Sequence, residues 1–247
     1  MVVMPFGTYI LGGEDNSGNS EFLKTGRYSW QVGPTIPSPG LAFGCAVAID
    51  FFRFVVIGGY PDGHSGPVAN VRMYDMASGS WTEWSALNTP VYFVACAKLG
   101  STIVVGGGYN HNDGGHQCYY SHKTNSSTGD LSETSIIDIR DGSNIVAAPF
   151  NTLRHGALMI GLHGIVVAFG GWSTENSAAL TSLEIWNPNG QTWIDGPSDV
   201  FQTGRQKFGM VTLSFPPGTC ELSVVVNEST NGAYADWASS ILDNVIN

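Results

Sequence analysis

The feature that most constrains this chain is an internal repeat. Phe54-Val55-Val56-Ile57 runs into Gly58-Gly59, Tyr74-Asp75 follows Gly59 by fifteen residues, and Trp81 follows Tyr74 by seven. The arrangement returns where Val166-Val167-Ala168-Phe169 ends in Gly170-Gly171, with Trp186-Asn187 fifteen residues on and Trp193 seven after Trp186. Two copies at one spacing define a unit, and a unit too small to bury both its faces has to stack against its siblings. Two further copies are partial. The first holds Gly12-Gly13, Leu23-Lys24 and Trp30; the third holds Gly106-Gly107, Ile137-Asp138 and, at the tryptophan position, Asn144.

Each unit offers four short strands. One precedes the glycine pair, one runs into it, one carries the Tyr74-type position and one the Trp81-type position. Short strands with turn signals at this spacing predict an all-β repeat architecture. Four strands in about 50 residues is what one β-propeller blade needs. Residues 54–57 are apolar at every position, the pattern of a strand covered on both faces. The glycines supply positive φ, and the outer tryptophans supply apolar area for packing between blades.

In these residues the chain resembles the kelch repeat: an apolar strand ending in Gly-Gly, a Tyr-Asp-like pair, then Trp. The resemblance covers residues 6–215 and implies a kelch-type β-propeller with four clear repeats and a degenerate fifth. It places one domain over 1–247, with repeats near 6–40, 41–90, 91–150, 151–200 and 201–247. The fifth repeat rests on 222–226 and on Asp236-Trp237-Ala238-Ser239, an echo of Asp75-Met76-Ala77-Ser78; a terminal amphipathic helix is the alternative there. The arginine that often follows the family's Trp is matched at Arg205. The chain starts almost directly on a second strand, which leaves a five-bladed ring and a piece of a larger one both open.

Composition narrows the partner class. At 43% hydrophobic and 12% charged residues the chain is built to fold. A net charge of −10, with no basic cluster, argues against nucleic acid and anionic membrane surfaces. No apolar run approaches the roughly 18 residues of a membrane helix. The first six residues lack the basic start of a secretory signal. Cys45 and Cys96, aligned as equivalent repeat positions, are expected buried and reduced. A Cys118–Cys220 disulfide stays open. The sequons at Asn125 and Asn227 matter only in an exported protein, and the expectation leans intracellular.

For function, the resemblance implies a non-catalytic scaffold that holds a protein or peptide on the face bearing the loops between blades, with ubiquitin-ligase substrate recognition or actin association as family roles. Long loops follow the glycine pairs, and Tyr60, Tyr109 and Trp172 stand directly after three of them, around one rim. Arg154 and Arg205 are further candidates for that face. The bland alternative is that the three aromatics cap the channel and only pack. Trp30, Trp81 and Trp193 read as wedges between blades, and His155, aligned with Phe208, reads as packing. No cofactor is expected, and neither a Gly-x-Ser-x-Gly elbow nor a P-loop is present. The rival reading is a propeller enzyme or metal-binding protein using the 109–133 insertion, whose His111, His116, Cys118 and His122 are ligand types for zinc or copper but match no zinc spacing.

Overall fold

A computed structural model describes residues 1–13, 18–37, 42–61, 66–110, 129–197 and 201–207, and the backbone of 211–212 and 224–225. The chain divides into two compact units, Met1–Lys207 and Phe208–Asn247.

The first unit is four antiparallel four-stranded sheets, the blades of a β-propeller. Blade 1 is β1 (Val2–Met4), β2 (Gly7–Leu11), β3 (Ser20–Lys24) and β4 (Gln31–Val32). Blade 2 is β5 (Cys45–Ala48), β6 (Arg53–Ile57), β7 (Val71–Asp75) and β8 (Ser80–Glu83). Blade 3 is β9 (Ala95–Leu99), β10 (Thr102–Gly106), β11 (Thr134–Asp138) and β12 (Asn144–Ala147). Blade 4 is β13 (Leu158–Leu162), β14 (Ile165–Phe169), β17 (Leu183–Asn187) and β18 (Thr192–Asp195), with the small hairpin of β15 (Trp172–Ser173) and β16 (Ala178–Ala179) between its second and third strands. The innermost strands β1, β5, β9 and β13 neighbour one another in turn. The N-terminal residues are therefore the first strand of blade 1, and the expected start on a second strand is corrected. In the second unit Val211–Thr212 pairs antiparallel with Val224–Val225. Most of the expected fifth repeat lies outside the described residues.

The all-apolar strands make sense once blades stack. Alternate residues of β6 point into different gaps: Phe54 and Val56 pack toward blade 1, Val55 and Ile57 toward blade 3. Strand β10 repeats this, with Ile103 and Val105 facing blade 2 and Val104 facing blade 4. Each gap thus has its own sealed apolar cluster. Burying one such Val or Ile is worth about 1.5–3 kcal/mol, so the gaps, more than the sheets, hold the first unit together.

The repeat motif now has a physical account. Tyr74 lies across the hairpin from Trp81, Trp186 from Trp193, and Ile137 from Asn144, so the seven-residue spacing is the register of strands 3 and 4. The Asp or Asn after the aromatic closes the turn: Asp75 Oδ1 accepts Ala77 N–H at 2.7 Å, and Asn187 Oδ1 accepts Asn189 N–H at 3.0 Å. Trp193 is buried, stacks on Phe150 of the preceding blade's exit (4.2 Å between centroids) and donates from Nε1 to Thr134 Oγ1 at 2.9 Å. Trp81 packs into the gap toward blade 1, though its indole nitrogen has no hydrogen-bond partner. Trp30 departs from the expected wedge role, with 42% of its surface exposed. Its counterparts Trp81 and Trp193 pack against the preceding blade.

Two alignments made on sequence are corrected. In blade 3 the pair in the positive-φ conformation is Gly107-Gly108 (φ 66° and 99°), matching Gly58-Gly59 (60° and 111°) and Gly170-Gly171 (56° and 100°); Gly106 is the last residue of β10. Cys45 and Cys96, expected as reduced thiols, form a disulfide with Cα atoms 6.0 Å apart. The structural counterparts are Phe43 and Phe93, both at positive φ, two residues before Cys45 but three before Cys96. That one-residue offset reverses the side-chain direction along a strand. Truly equivalent cysteines would point the same way around the ring, whereas these face each other across the gap between blades 2 and 3.

Gly58 tests the close approach of blades. A Cβ there would lie 2.6 Å from the Val91 carbonyl oxygen, whereas one at Gly79, at similar φ, meets nothing within 4 Å. Denaturant titration should show Gly79→Ala costing about 1 kcal/mol from backbone strain alone. Gly58→Ala should cost at least about 3 kcal/mol.

A candidate partner-binding mouth

At the glycine-pair end of the blades the chain builds a backbone ring. Phe93 N–H donates to Phe43 O (2.7 Å), Gly156 N–H to Phe93 O (2.8 Å) and Lys207 N–H to Gly156 O (2.8 Å). The donors and acceptors all sit at positive φ, between 53° and 60°. A second course runs beside it: Gly59 N–H to Val91 O, Gly108 N–H to Arg154 O and Gly171 N–H to Arg205 O, at 2.7–2.8 Å. The second glycine of each pair is thus the donor that ties one blade to the next, and its φ near 100° requires glycine. The ring also identifies equivalent positions. Lys207, not Gly209, matches Gly156, so His155 corresponds to Gln206, Tyr92 and Ala42, and the alignment of His155 with Phe208 is corrected. Arg154 matches Arg205 and Val91, which gives the family's arginine a second position.

The rim aromatics stand where the inner hairpins continue past the glycines. Ala42 bridges Tyr60, Tyr92 bridges Tyr109, and His155 bridges Trp172. Edge-to-face contacts then join Tyr60 to Tyr92 (5.3 Å), Tyr92 to Tyr109 (5.5 Å) and Tyr109 to His155 (5.2 Å). Tyr60 is only 5% exposed, so this candidate packs under the rim. Tyr109 and Trp172 are half-buried, each with part of its surface accessible. Phe43 and Phe93 form an inner aromatic pair, 4.6 Å between centroids, and the Lys207 ammonium lies 4.0 Å from the Phe93 centroid.

Arg154 leaves the binding face altogether. Its side chain is fully buried, donating from Nη1 to Gly170 O and from Nη2 to Glu184 Oε1, each at 2.7 Å. Glu184, also buried, further accepts the backbone N–H groups of Asn151 (2.7 Å) and Thr152 (3.0 Å). One carboxylate and one guanidinium therefore fasten the segment that crosses from blade 3 into blade 4. Arg205 is half-buried and contributes its carbonyl to the ring.

Asp130 and Thr174 carry no sequence signal. Buried Asp130, in the loop after the third glycine pair, accepts from Thr174 Oγ1 at 2.9 Å and from Thr174 N–H, and lies 2.7 Å from His155 Nδ1. Burial pushes the Asp130 carboxyl upward, but the hydrogen bonds from His155 and Thr174 outweigh it and hold the group below the ordinary value of 3.8. This clamp joins a blade 3 loop to two segments of blade 4. The proposed ligands His111, His116, Cys118 and His122 lie outside the described residues. Among the described residues there is no group of three His, Cys, Asp or Glu side chains placed to hold a metal.

The fold and this arrangement of glycine pairs and aromatics define a β-propeller. Residues 153–199 match the Kelch motif family, a span that begins just before the ring position of blade 4 and ends past Trp193. The chain is a β-propeller, and its fourth blade carries the Kelch motif. It resembles the structure of YjhT with a TM-score of 0.68 at 14% identity, covering 85% of this chain and 67% of that one, a likeness of fold. No curated protein matches.

Two predictions follow from the buried charges. Arg154→Met leaves Glu184 without its cation and should cost about 3–5 kcal/mol in denaturant unfolding, more than Arg154→Met with Glu184→Met. Because the folded Asp130 value is depressed, its contribution is fully present above pH 3.8 and lost as pH falls through the lower folded value. The stability difference between wild type and Asp130→Asn, followed by denaturant titration across that range, should therefore shrink below pH 3.8 and not above it.

Proposed function

We propose that this chain is a non-catalytic protein-binding propeller whose partner docks on the glycine-pair face through Tyr109 and Trp172. The observation that carries the reading is the pairing of half-exposed large aromatics with a backbone held by interblade hydrogen bonds. Aromatics that lose little freedom on binding are the residue types that dominate interface energy. A kelch propeller is consistent with an interaction scaffold. Recruitment of a ubiquitin-ligase substrate and attachment to actin are finer versions of this role, distinguished by which partner is recovered.

The disulfide bears on where such binding takes place. Disulfides persist in oxidising compartments, and Cys45–Cys96 couples the two chain segments that carry Phe43 and Phe93 at the mouth. We infer an exported or lumenal setting in place of the intracellular one that the sequence favours. No helix among the described residues is long and apolar enough to cross a membrane.

Crosslinking capture with the full chain checks the binding face. Tyr109→Ala with Trp172→Ala should abolish recovery of partners specific to wild type while melting stays unchanged; unchanged recovery would remove the rim from the interface. In protein recovered from an exporting cell, non-reducing peptide mapping should show Cys45 joined to Cys96. Free, alkylatable thiols at both positions would contradict the compartment.

A further inference from the structure

The turns at the far end of the blades hold an aromatic cluster that the repeat does not call for. Strand β6 runs from the Phe51-Phe52 turn to Gly58-Gly59, so this cluster and the mouth lie at opposite ends of the same strand. Phe51 and Phe52 are 51% and 49% exposed. Half-buried Phe6, in the turn between β1 and β2, meets Phe51 edge-on at 4.5 Å and Phe52 at 5.7 Å, and Phe51 meets Phe52 at 5.1 Å. In blades 3 and 4 the same turns are Gly100-Ser101 and His163-Gly164, short and without a phenyl ring, whereas blade 2 crosses with Ile49-Asp50-Phe51-Phe52-Arg53. A blade closes without these rings, and clustered phenylalanines at a solvent-facing turn mark an interaction surface. The turn holds them in place. Asp50 Oδ1 accepts the backbone N–H groups of Phe52 (2.9 Å) and Arg53 (2.8 Å), Asp50 Oδ2 accepts Arg53 Nε (2.6 Å), and Phe52 O accepts Met76 N–H (2.9 Å).

The charge beside the rings runs against the chain as a whole. The net charge is −10, yet the turns of blades 1 and 2 at this end carry Lys24, Arg27 and Arg53 against Asp50 and Asp75. Asp50 is paired with Arg53, and Asp75 accepts from the N–H groups of Ala77 and Ser78 in its own hairpin. Lys24 and Arg27 are exposed, and neither pairs with a carboxylate among the described residues. Their turn is fastened to Phe6, whose carbonyl accepts Thr25 N–H at 2.7 Å. Lys24 also follows Phe22 by two on β3, which puts it on the side of blade 1 turned to blade 2, where the phenylalanines stand.

We propose that Phe6, Phe51 and Phe52, flanked by Lys24 and Arg27, form a second docking surface, at the end opposite the mouth, for a protein segment that presents apolar side chains beside Asp or Glu. The rings take the apolar side chains, and the two cations favour carboxylates and disfavour a basic segment. A membrane is the poorer occupant. An anionic bilayer faces the whole chain and its negative charge, whereas a peptide meets only this patch. Docking surfaces at both ends of the blades let the chain hold two partners at once, which extends the binding role without depending on the mouth.

The test is fluorescence anisotropy with the full chain and labelled peptides: Glu-Leu-Asp-Phe-Glu-Leu-Asp, the same sequence with serine at its apolar positions, and the same sequence with lysine at its acidic positions. The first should bind saturably and the other two at least about tenfold more weakly. Phe51→Ser with Phe52→Ser should weaken the first peptide by at least about tenfold. Lys24→Glu with Arg27→Glu should weaken it too, while strengthening the lysyl peptide. All four residues are exposed, so melting should stay unchanged in both variants. Tyr109→Ala with Trp172→Ala should leave the affinity as it is. No saturable binding, equal binding of the lysyl peptide, unaltered affinity in either the phenylalanine or the charge-reversed variant, or loss of binding in the Tyr109 and Trp172 variant would overturn the second surface. Co-sedimentation with vesicles of phosphatidylcholine and phosphatidylserine that is lost with Phe51→Ser and Phe52→Ser, in a chain that does not bind the peptide, would assign the patch to a membrane and overturn the protein partner. The mouth is judged separately, by partner capture with Tyr109 and Trp172, so either surface can fail alone.

Discussion

Everything at the mouth depends on backbone hydrogen bonds that pass from blade to blade. Phe93 to Phe43, Gly156 to Phe93 and Lys207 to Gly156 form one course, and the second glycines of the pairs form another. These bonds dictate the motif. A donor aimed at the next blade needs positive φ, and the approach of neighbouring backbone leaves no room for a side chain, as the 2.4 Å gap between a Cβ at Gly107 and Arg154 O shows. Non-glycine residues at the other ring positions, Phe43, Phe93 and Lys207, carry the strain of left-handed backbone. They hold it because each is tied to its neighbours by the ring.

Behind the ring, three apolar clusters fill the gaps between blades, and polar clamps fix the crossings. Arg154 with Glu184 holds the segment entering blade 4, and Asp130 ties a blade 3 loop to His155 and Thr174. The disulfide adds a covalent tie between blades 2 and 3. The result is a mouth at which half-buried Tyr109 is backed by two buried aromatics, Tyr92 and behind it Tyr60. In the proposed binding role, a partner would meet groups already ordered, so less of the contact energy would be lost in ordering them.

Much of the fold was legible because the repeat spacing is itself a strand register: Tyr74 to Trp81 and Trp186 to Trp193 are cross-strand neighbours. The errors came where alignment slipped by a residue or two. A run of three glycines hid which two take positive φ, and Gly-Cys-Ala beside Ala-Cys-Ala aligned two cysteines that the ring sets one residue apart. In a strand that offset decides which gap a side chain enters, so a predicted thiol pair became a disulfide. The site was less legible. Tyr109 and Trp172 stand directly after their glycine pairs, a position readable in the sequence, and the structure leaves both half-buried. Arg154 was misplaced because its partner Glu184 lies thirty residues on in another strand, and Asp130 sits in a loop with no pattern at all.

Hydrogen exchange at the ring amides tests the central claim most directly, that interblade backbone bonds make the mouth rigid. The amides of Gly59, Phe93, Gly108, Gly156 and Gly171 should exchange as slowly as those of the buried strands β6, β10 and β14, opening only with the cooperative unfolding of the first unit. Exchange of these amides at the rate of exposed turns such as Gly79 and Gly100, while the strands remain protected, would contradict it.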